Sequence, residues 1–211
     1  MCRKIFLFLL LSSALYVHAQ YPGYKLLSDA NDFKTKFAAA SQKINTIKSD
    51  FVQEKELSML SEKIVSKGKF WFKRENAVRM EYTTPFQYLM IINNGKIYIK
   101  DSQKENKISA KSNKLFEQIN KIMMDCVNGS ALSNPDFTTK IFEGNDSYLV
   151  ELSPVNKNLK NLFKNINLVV GKKDYAVSKI EMHEPSGDNT VINYLNREMN
   201  VNLPDALFAI N

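Results

Sequence analysis

The 211-residue chain is poor in the side chains that chemistry usually needs: two cysteines and two histidines, with seven glycines scattered among turn signals. Cys2 sits at the extreme N-terminus, before an apolar run, where it cannot be the lipidated cysteine that ends a lipoprotein signal. If that segment is removed, Cys126 is alone and no intramolecular disulfide is available. Within an apolar helix-like pattern, Cys126 reads as a small buried hydrophobe, with a reactive thiol as the alternative. The second histidine also lies in the N-terminal segment, which leaves His183 as the sole imidazole base for any serine or cysteine nucleophile. A lone histidine at a strand end reads more simply as structural or solvated. No Cys/His cluster and no carboxylate group has metal-ligand spacing, and no glycine-rich loop is built to cradle phosphate. These absences describe a binder rather than an enzyme, with no cofactor and no metal.

Long hydrophobic runs are also missing. The N-terminal stretch MCRKIFLFLLLSSALYVHAQ has Arg3 and Lys4, an apolar core from Ile5 to Leu11, and Val17-His18-Ala19 as a small-residue cleavage site. The core is too short to span a bilayer, so the segment reads as a secretory signal (1–19) cleaved after Ala19. Export follows, with residues 20–211 forming a single domain, because no linker, repeat or low-complexity stretch divides them. Losing Arg3 and Lys4 takes the basic count from 29 to 27 against 22 acids, a net charge of +5. Charges of both signs are interspersed, as on an ordinary solvated surface. One stretch departs from this: residues 156–173 hold Lys157, Lys160, Lys164, Lys172 and Lys173 and no acid. It reads as solvated loop and strand ends, or as a patch for anionic lipid or an acidic partner. Without an aromatic-basic binding motif, nucleic acid is not an expected partner.

What the chain does have is apolar periodicity. In DANDFKTKFAAASQKINTIKSD, Phe33, Phe37, Ala40, Ile44 and Ile47 recur at three and four, one face of a helix that Asp29 or Asn31 can cap. The period then changes to two. FVQEKEL, KGKFWFKR, VRMEY, QYLMIINN and KIYIKD read as strands parted by turn signals at Lys67-Gly68, Thr84-Pro85 and Asn94-Gly95. Asn94-Gly95 is the strongest of these, since a two-residue type I′ turn needs positive φ at both positions. SNKLFEQINKIMMDCVNGS places Leu115, Phe116, Ile119, Ile122, Met123 and Cys126 on one side of a second helix that ends at Gly129. Strands return in FTTKIFEG, SYLVELSP, INLVVG, AVSKIEMH and TVINYLN. Consecutive antiparallel strands interrupted by two amphipathic helices predict a mainly β fold, a curved sheet or open barrel covered by helices.

Such a barrel has an interior to fill. Val78, Met80, Tyr82, Met90 and Ile92 alternate at the sheet period, while Phe33, Phe37, Met123 and Met124 come from the helices. Methionine and aromatics make a conformable apolar wall around a ligand space; equally, they pack helix on sheet as a closed core. Periodicity leaves both open.

FVQ at 51–53, GKFWFKR at 68–74, VRMEYTTP at 78–85 and IINNGKIYI at 91–99 resemble, in order and spacing, the signature strands of the LolA family, periplasmic carriers of outer-membrane lipoproteins. SYLVELSP, LKNLFKNINLVVGKKDYAVSKIEMHE and the ending VNLPDALFAIN extend the similarity over nearly all of residues 20–211. The resemblance implies an unclosed antiparallel β-barrel with an α-helical lid over an acyl-chain cavity, with Phe33, Phe37, Phe51, Trp71, Val78, Met80, Tyr82, Met90, Ile92, Ile119 and Met123 as candidate wall residues. It implies that Arg74 matches the family arginine that hydrogen-bonds lid-helix backbone, a latch at the cavity rim. Glu75 stands where the family usually has proline, within reach of Arg74. The implied partners are acylated lipoproteins, an inner-membrane lipoprotein-releasing complex and an outer-membrane acceptor, with the chain acting as a monomer. A non-transporting sensor of lipoprotein, or an envelope-complex interaction module of the same fold, is the alternative.

Overall fold

The computed structural model describes residues 21–60, 62–74, 76–101, 105–109 (backbone only), 121–122, 124–126 and 129–210. Helix α1 (Asn31–Gln42) forms where Phe33, Phe37 and Ser41 fall one turn apart and are buried together. Its exposed side carries a Lys36–Asp32 pair at 2.8 Å. Ala30 is the N-cap; Asp29 Oδ1 accepts from Asn31 N at 2.9 Å in a local turn and does not cap the helix. The helix is shorter than its apolar period suggests. It stops at Gln42, and Ile47 belongs to the next strand. Asn45 N donates to the Asn200 side chain and Thr46 Oγ1 to Val201 O, so distant backbone captures the segment and extends it. The β-branched Thr46 and Ile47 accept that conformation readily.

The strands are β1 (Lys25–Leu26), β2 (Thr46–Leu57), β3 (Glu62–Lys73), β4 (Ala77–Thr84), β5 (Tyr88–Asn93), β6 (Lys96–Asp101) and β7 (Glu105–Ser109). They continue as β8 (Phe137–Glu143), β9 (Ser147–Pro154), β10 (Asn165–Gly171), β11 (Val177–His183) and β12 (Asn189–Met199). All pair antiparallel in one sheet, ordered β1-β8-β9-β10-β11-β12-β2-β3-β4-β5-β6-β7. The long β12–β2 ladder joins the two halves of the chain. No pairing links β1 to β7 among the described residues, so the sheet is not closed.

Asn94 and Gly95, at φ 47° and 74°, form the two-residue turn between Asn93 and Lys96 that the sequence predicts. Lys67-Gly68 does not turn. β3 runs straight through it, with a register shift against β4 at that point. A Cβ on Gly68 would lie 2.2 Å from Glu81 O and 2.7 Å from the Phe51 ring. This glycine serves close approach across the sheet, so that Phe51 can lie over its neighbour.

The inner face carries two apolar clusters. Phe33, Phe37, Val150, Leu152, Ile166 and Leu168 centre one, under α1; Phe51, Phe70, Phe72, Val78, Met80 and Ile92 centre the other. Met182 and Tyr194 pack against both. The outer face of β3 and β4 is also covered, by the C-terminal residues Leu203 and Phe208 packed with Ala77, Trp71 and Leu207. Among the described residues no helix is long and apolar enough to cross a membrane.

Candidate functional site

Alternation sends Phe70 and Phe72 of FWF to the inner face and Trp71 to the other. On the inner face the next strands add Met80 and Tyr82 from β4, then Tyr88 and Met90 from β5. Across the curve, β11 supplies Ile180 and Met182, and β12 supplies Ile192 and Tyr194. These eight side chains line one cavity of about 390 Å³. β11 and β5 stand five strand spacings apart in sheet order, about 24 Å on a flat sheet. That both face one cavity is the direct mark of the sheet's curvature.

The cavity is roofed by Ile122, from the second helical segment, and by Leu162 and Phe163 from the β9–β10 connection. Its polar atoms gather toward the mouth. Tyr82 Oη donates to Gln53 Oε1 at 3.0 Å, and Lys55 and Glu184 lie 3.8 Å apart. Burial pushes the Tyr82 hydroxyl up to about 12, and burial also raises Tyr88 and Tyr194. The three phenols are therefore neutral at physiological pH and present apolar ring faces.

A second cavity, about 40 Å³, adjoins the first through Ile180 and Tyr194 and runs toward the opposite end of the barrel. Phe37, Val78, Ser41 and Ile44 line it. Arg74, in the β3–β4 turn, does not line this narrow end but bonds two residues that do. Its Nε donates to Ile44 O at 2.9 Å, and its Nη2 lies 2.6 Å from both Ile44 O and Ser41 O. Its backbone N donates to Asn45 O at 2.7 Å. The last carbonyls of a helix have no helical N–H to accept, and the planar guanidinium supplies donors in their place. The sequence places this arginine at the cavity rim. The structure puts it by the narrow end, on the carbonyls of Ser41, in the last turn of α1, and Ile44, just beyond it, with the wide mouth at the other end. Glu75 lies outside the described residues.

Of the candidate wall residues, Met80, Tyr82 and Met90 line the wide cavity, and Val78 and Phe37 the narrow one. Phe33, Phe51 and Ile92 are buried in the cores behind them. Phe33 sits 4.5 Å from the Tyr148 ring, and Phe51 meets Tyr82 edge-on at 4.9 Å. Trp71 is not a wall residue: it lies on the outer face under the C-terminal segment, with the Arg79 guanidinium 5.6 Å from its ring centroid. Ile119 and Met123 lie outside the described residues, as do Leu115 and Phe116. Tyr88, Ile180, Met182, Ile192, Tyr194 and Phe163 complete the site; the same period of two in KIEMH and TVINY carries four of them. Cys126 is 3% exposed, and burial pushes its thiol far up, so it is an inert core group. His183 reaches Asn167 and Glu181 on the outer face. No group of three or more His, Cys, Asp or Glu could hold a metal among the described residues.

Residues 42–211 match the family model described as outer membrane lipoprotein carrier protein LolA. The chain belongs to the LolA family. Comparison with curated protein sequences finds no match. Among solved structures, the MucA/MucB complex of Pseudomonas aeruginosa superposes with a TM-score of 0.51 at 13% identity, over 87% of this LolA-family chain and 62% of that one. An uncharacterized conserved protein of Thermus thermophilus gives 0.51 at 8% identity, over 85% and 93%. A LolA-superfamily protein of Nitrosomonas europaea gives 0.46 at 11% identity, over 87% and 99%. At these identities the first two likenesses speak to the fold alone.

Proposed function

We propose that this LolA-family protein is a periplasmic, non-enzymatic carrier that takes acyl chains of lipoproteins into the cavity between β4–β5 and β11–β12 and passes them from inner to outer membrane. The observation that carries the reading is the cavity itself. It is about 390 Å³, walled by methionine and aromatic side chains, with its polar groups confined to one mouth. An acyl chain needs apolar contact along its length and no hydrogen bonds, and an unbranched thioether wall adapts to it without a fixed shape. Membership of the lipoprotein carrier family and the signal-like N-terminus support export and the carrier role. An inner-membrane releasing complex would load the site and an outer-membrane acceptor would empty it, with the chain acting as a monomer of one domain over 20–211.

The test is native mass spectrometry of protein purified from its own periplasm, joined to displacement of a fluorescent fatty-acid probe by an acylated peptide. A co-purifying acylated species and low-micromolar probe binding are the expected results. A folded protein that binds no probe would leave the second reading, a sensor or interaction module that works through its outer surface. The nearly filled narrow end, about 40 Å³, favours that alternative.

A further inference from the structure

The barrel end that carries the cavity mouth also holds large apolar side chains in water. In the β2–β3 turn Met59 is 92% and Leu60 63% exposed, and in the β4–β5 turn Phe86 is 76% exposed. Both turns fall at one end of the sheet, because β2 runs toward this end, β3 away from it and β4 back again. The β2–β3 hairpin also overhangs its neighbour. The β3–β4 ladder ends at Lys67 opposite Thr84, while Glu62–Ser66 pair with β2 alone, an extension of about 16 Å at ~3.3 Å per residue.

This tip is held in place. Ser58 N donates to Asp188 Oδ1 at 2.9 Å, and the Ser58 hydroxyl lies 2.9 Å from that oxygen and 3.0 Å from Ser186 O. The hairpin is thereby tied to the β11–β12 turn just before the exposed pair. Exposed apolar side chains on a braced turn are a presented surface.

Lysines surround the same mouth. The β9–β10 connection, whose Leu162 and Phe163 roof the cavity, carries Lys157, Lys160 and Lys164, all exposed and without an ion pair among the described residues. Lys67 on β3 is likewise exposed. Of the acids at this end among the described residues, Glu54 and Glu56 face Lys63, Glu184 faces Lys55, Asp136 faces Lys121, and Asp188 is engaged by Ser58. Glu62 and Asp101 lie there too.

We propose that this end docks on an anionic bilayer surface, with Met59, Leu60 and Phe86 entering the headgroup–acyl boundary while Lys157, Lys160 and Lys164 meet lipid phosphates. Apolar tips on separate projecting turns, flanked by free lysines, suit a plane that is apolar below and anionic above. A folded protein partner would need a matching hollow for each tip and would bury the lysines, which interfaces disfavour. Docked this way, the cavity mouth faces the lipid. The inference goes beyond the carrier reading and does not depend on what the cavity holds.

The purified exported protein is floated with vesicles containing phosphatidylglycerol and with vesicles of phosphatidylcholine alone. Binding to the anionic vesicles at ~0.1 M salt is expected, at least tenfold weaker on the neutral vesicles and at ~1 M salt. Met59→Asp with Leu60→Asp, and separately Lys157→Glu with Lys160→Glu, each weaken it at least tenfold. Both pairs keep fatty-acid probe binding and the thermal midpoint, which separates failure here from failure of the cavity reading. A folded protein that ignores anionic vesicles overturns the proposal, as does binding that survives both pairs. Binding that needs the lysines but not the tip overturns it in favour of an acidic partner. A concentration-dependent dimer abolished by the tip pair overturns it in favour of a second copy.

Discussion

Arg74 holds one carbonyl, that of Ile44, with two donors at once: Nε at 2.9 Å and Nη2 at 2.6 Å. The same Nη2 reaches Ser41 O, so one planar group ties the β3–β4 turn to the end of α1. Both acceptors belong to residues that line the narrow cavity, and this contact is the seam that must give if α1 is to lift.

Replacing Arg74 by leucine removes the donors of Ile44 O, while Ser41 O keeps Ile44 N at 3.2 Å. An unsatisfied buried acceptor costs about 1–3 kcal/mol, so Arg74→Leu should lower the unfolding free energy by that order and free the end of α1. In the carrier reading, the loosened helix lets cargo seat more deeply and its release slows. Lysine keeps the charge and loses the fork, so Arg74→Lys should fall between the two. Off-rates of a bound acylated peptide in the three proteins check this; equal rates would make Arg74 a strand-end charge and nothing more.

Gly68 makes a sharper claim about packing. With Glu81 O 2.2 Å and the Phe51 ring 2.7 Å from a Cβ at this position, Gly68→Ala must push backbone or ring aside. Overpacking of this kind costs about 1–3 kcal/mol. Urea denaturation should show a lowered midpoint at unchanged slope, and an unshifted midpoint would mean that the β3–β4 pairing yields without cost.

Filling the wide cavity should abolish ligand binding while sparing the fold. Met90→Trp places a larger ring into about 390 Å³ of space. Fatty-acid probe affinity should fall tenfold or more with the thermal midpoint within a few degrees of the parent. Unchanged affinity would place the ligand elsewhere.

High pH should loosen the same wall. The Tyr82 hydroxyl titrates at about 12 in the fold because burial disfavours its anion, and near 10 when the chain is unfolded. Between those values the native state binds the extra proton, so stability is intact below pH ~10 and falls as pH rises through ~12, by on the order of 2 kcal/mol. Tyr194 is raised in the same direction by burial and adds to the loss. Tyr82→Phe should flatten the upper limb of a stability-against-pH curve, and an unflattened limb would assign the loss to other groups.

Much of the sheet was legible because its signals are local. The alternation of Val78, Met80 and Tyr82 and the turn at Asn94-Gly95 are decided within a few residues. The failures share another cause. Trp71 follows the alternation faithfully, but alternation names two faces without saying which is lined by cavity, and here both are covered. The outer face is closed by Leu203 and Phe208, more than a hundred positions away. Gly68 looked like a turn because a turn and a close cross-strand approach both ask for a missing Cβ. The end of α1 was overrun because Asn200 and Val201, which pull Asn45 and Thr46 into the sheet, lie outside any local window. Ile180, Met182, Ile192 and Tyr194 carry the same period as the β4 residues, but only the curvature brings them to the same cavity.

The rims of the sheet, β1 and β7, are unpaired with each other among the described residues, which gives the interior a freedom that a sealed cylinder lacks. In a closed barrel, strand number and shear fix the girth, and widening it means breaking a ladder. Here the sheet can uncoil by small changes of twist at each of its ladders, with every interstrand bond kept. The girth of the pocket is then an elastic variable, set by whatever occupies it, so that guests of different bulk would be held by one unaltered hydrogen-bond pattern.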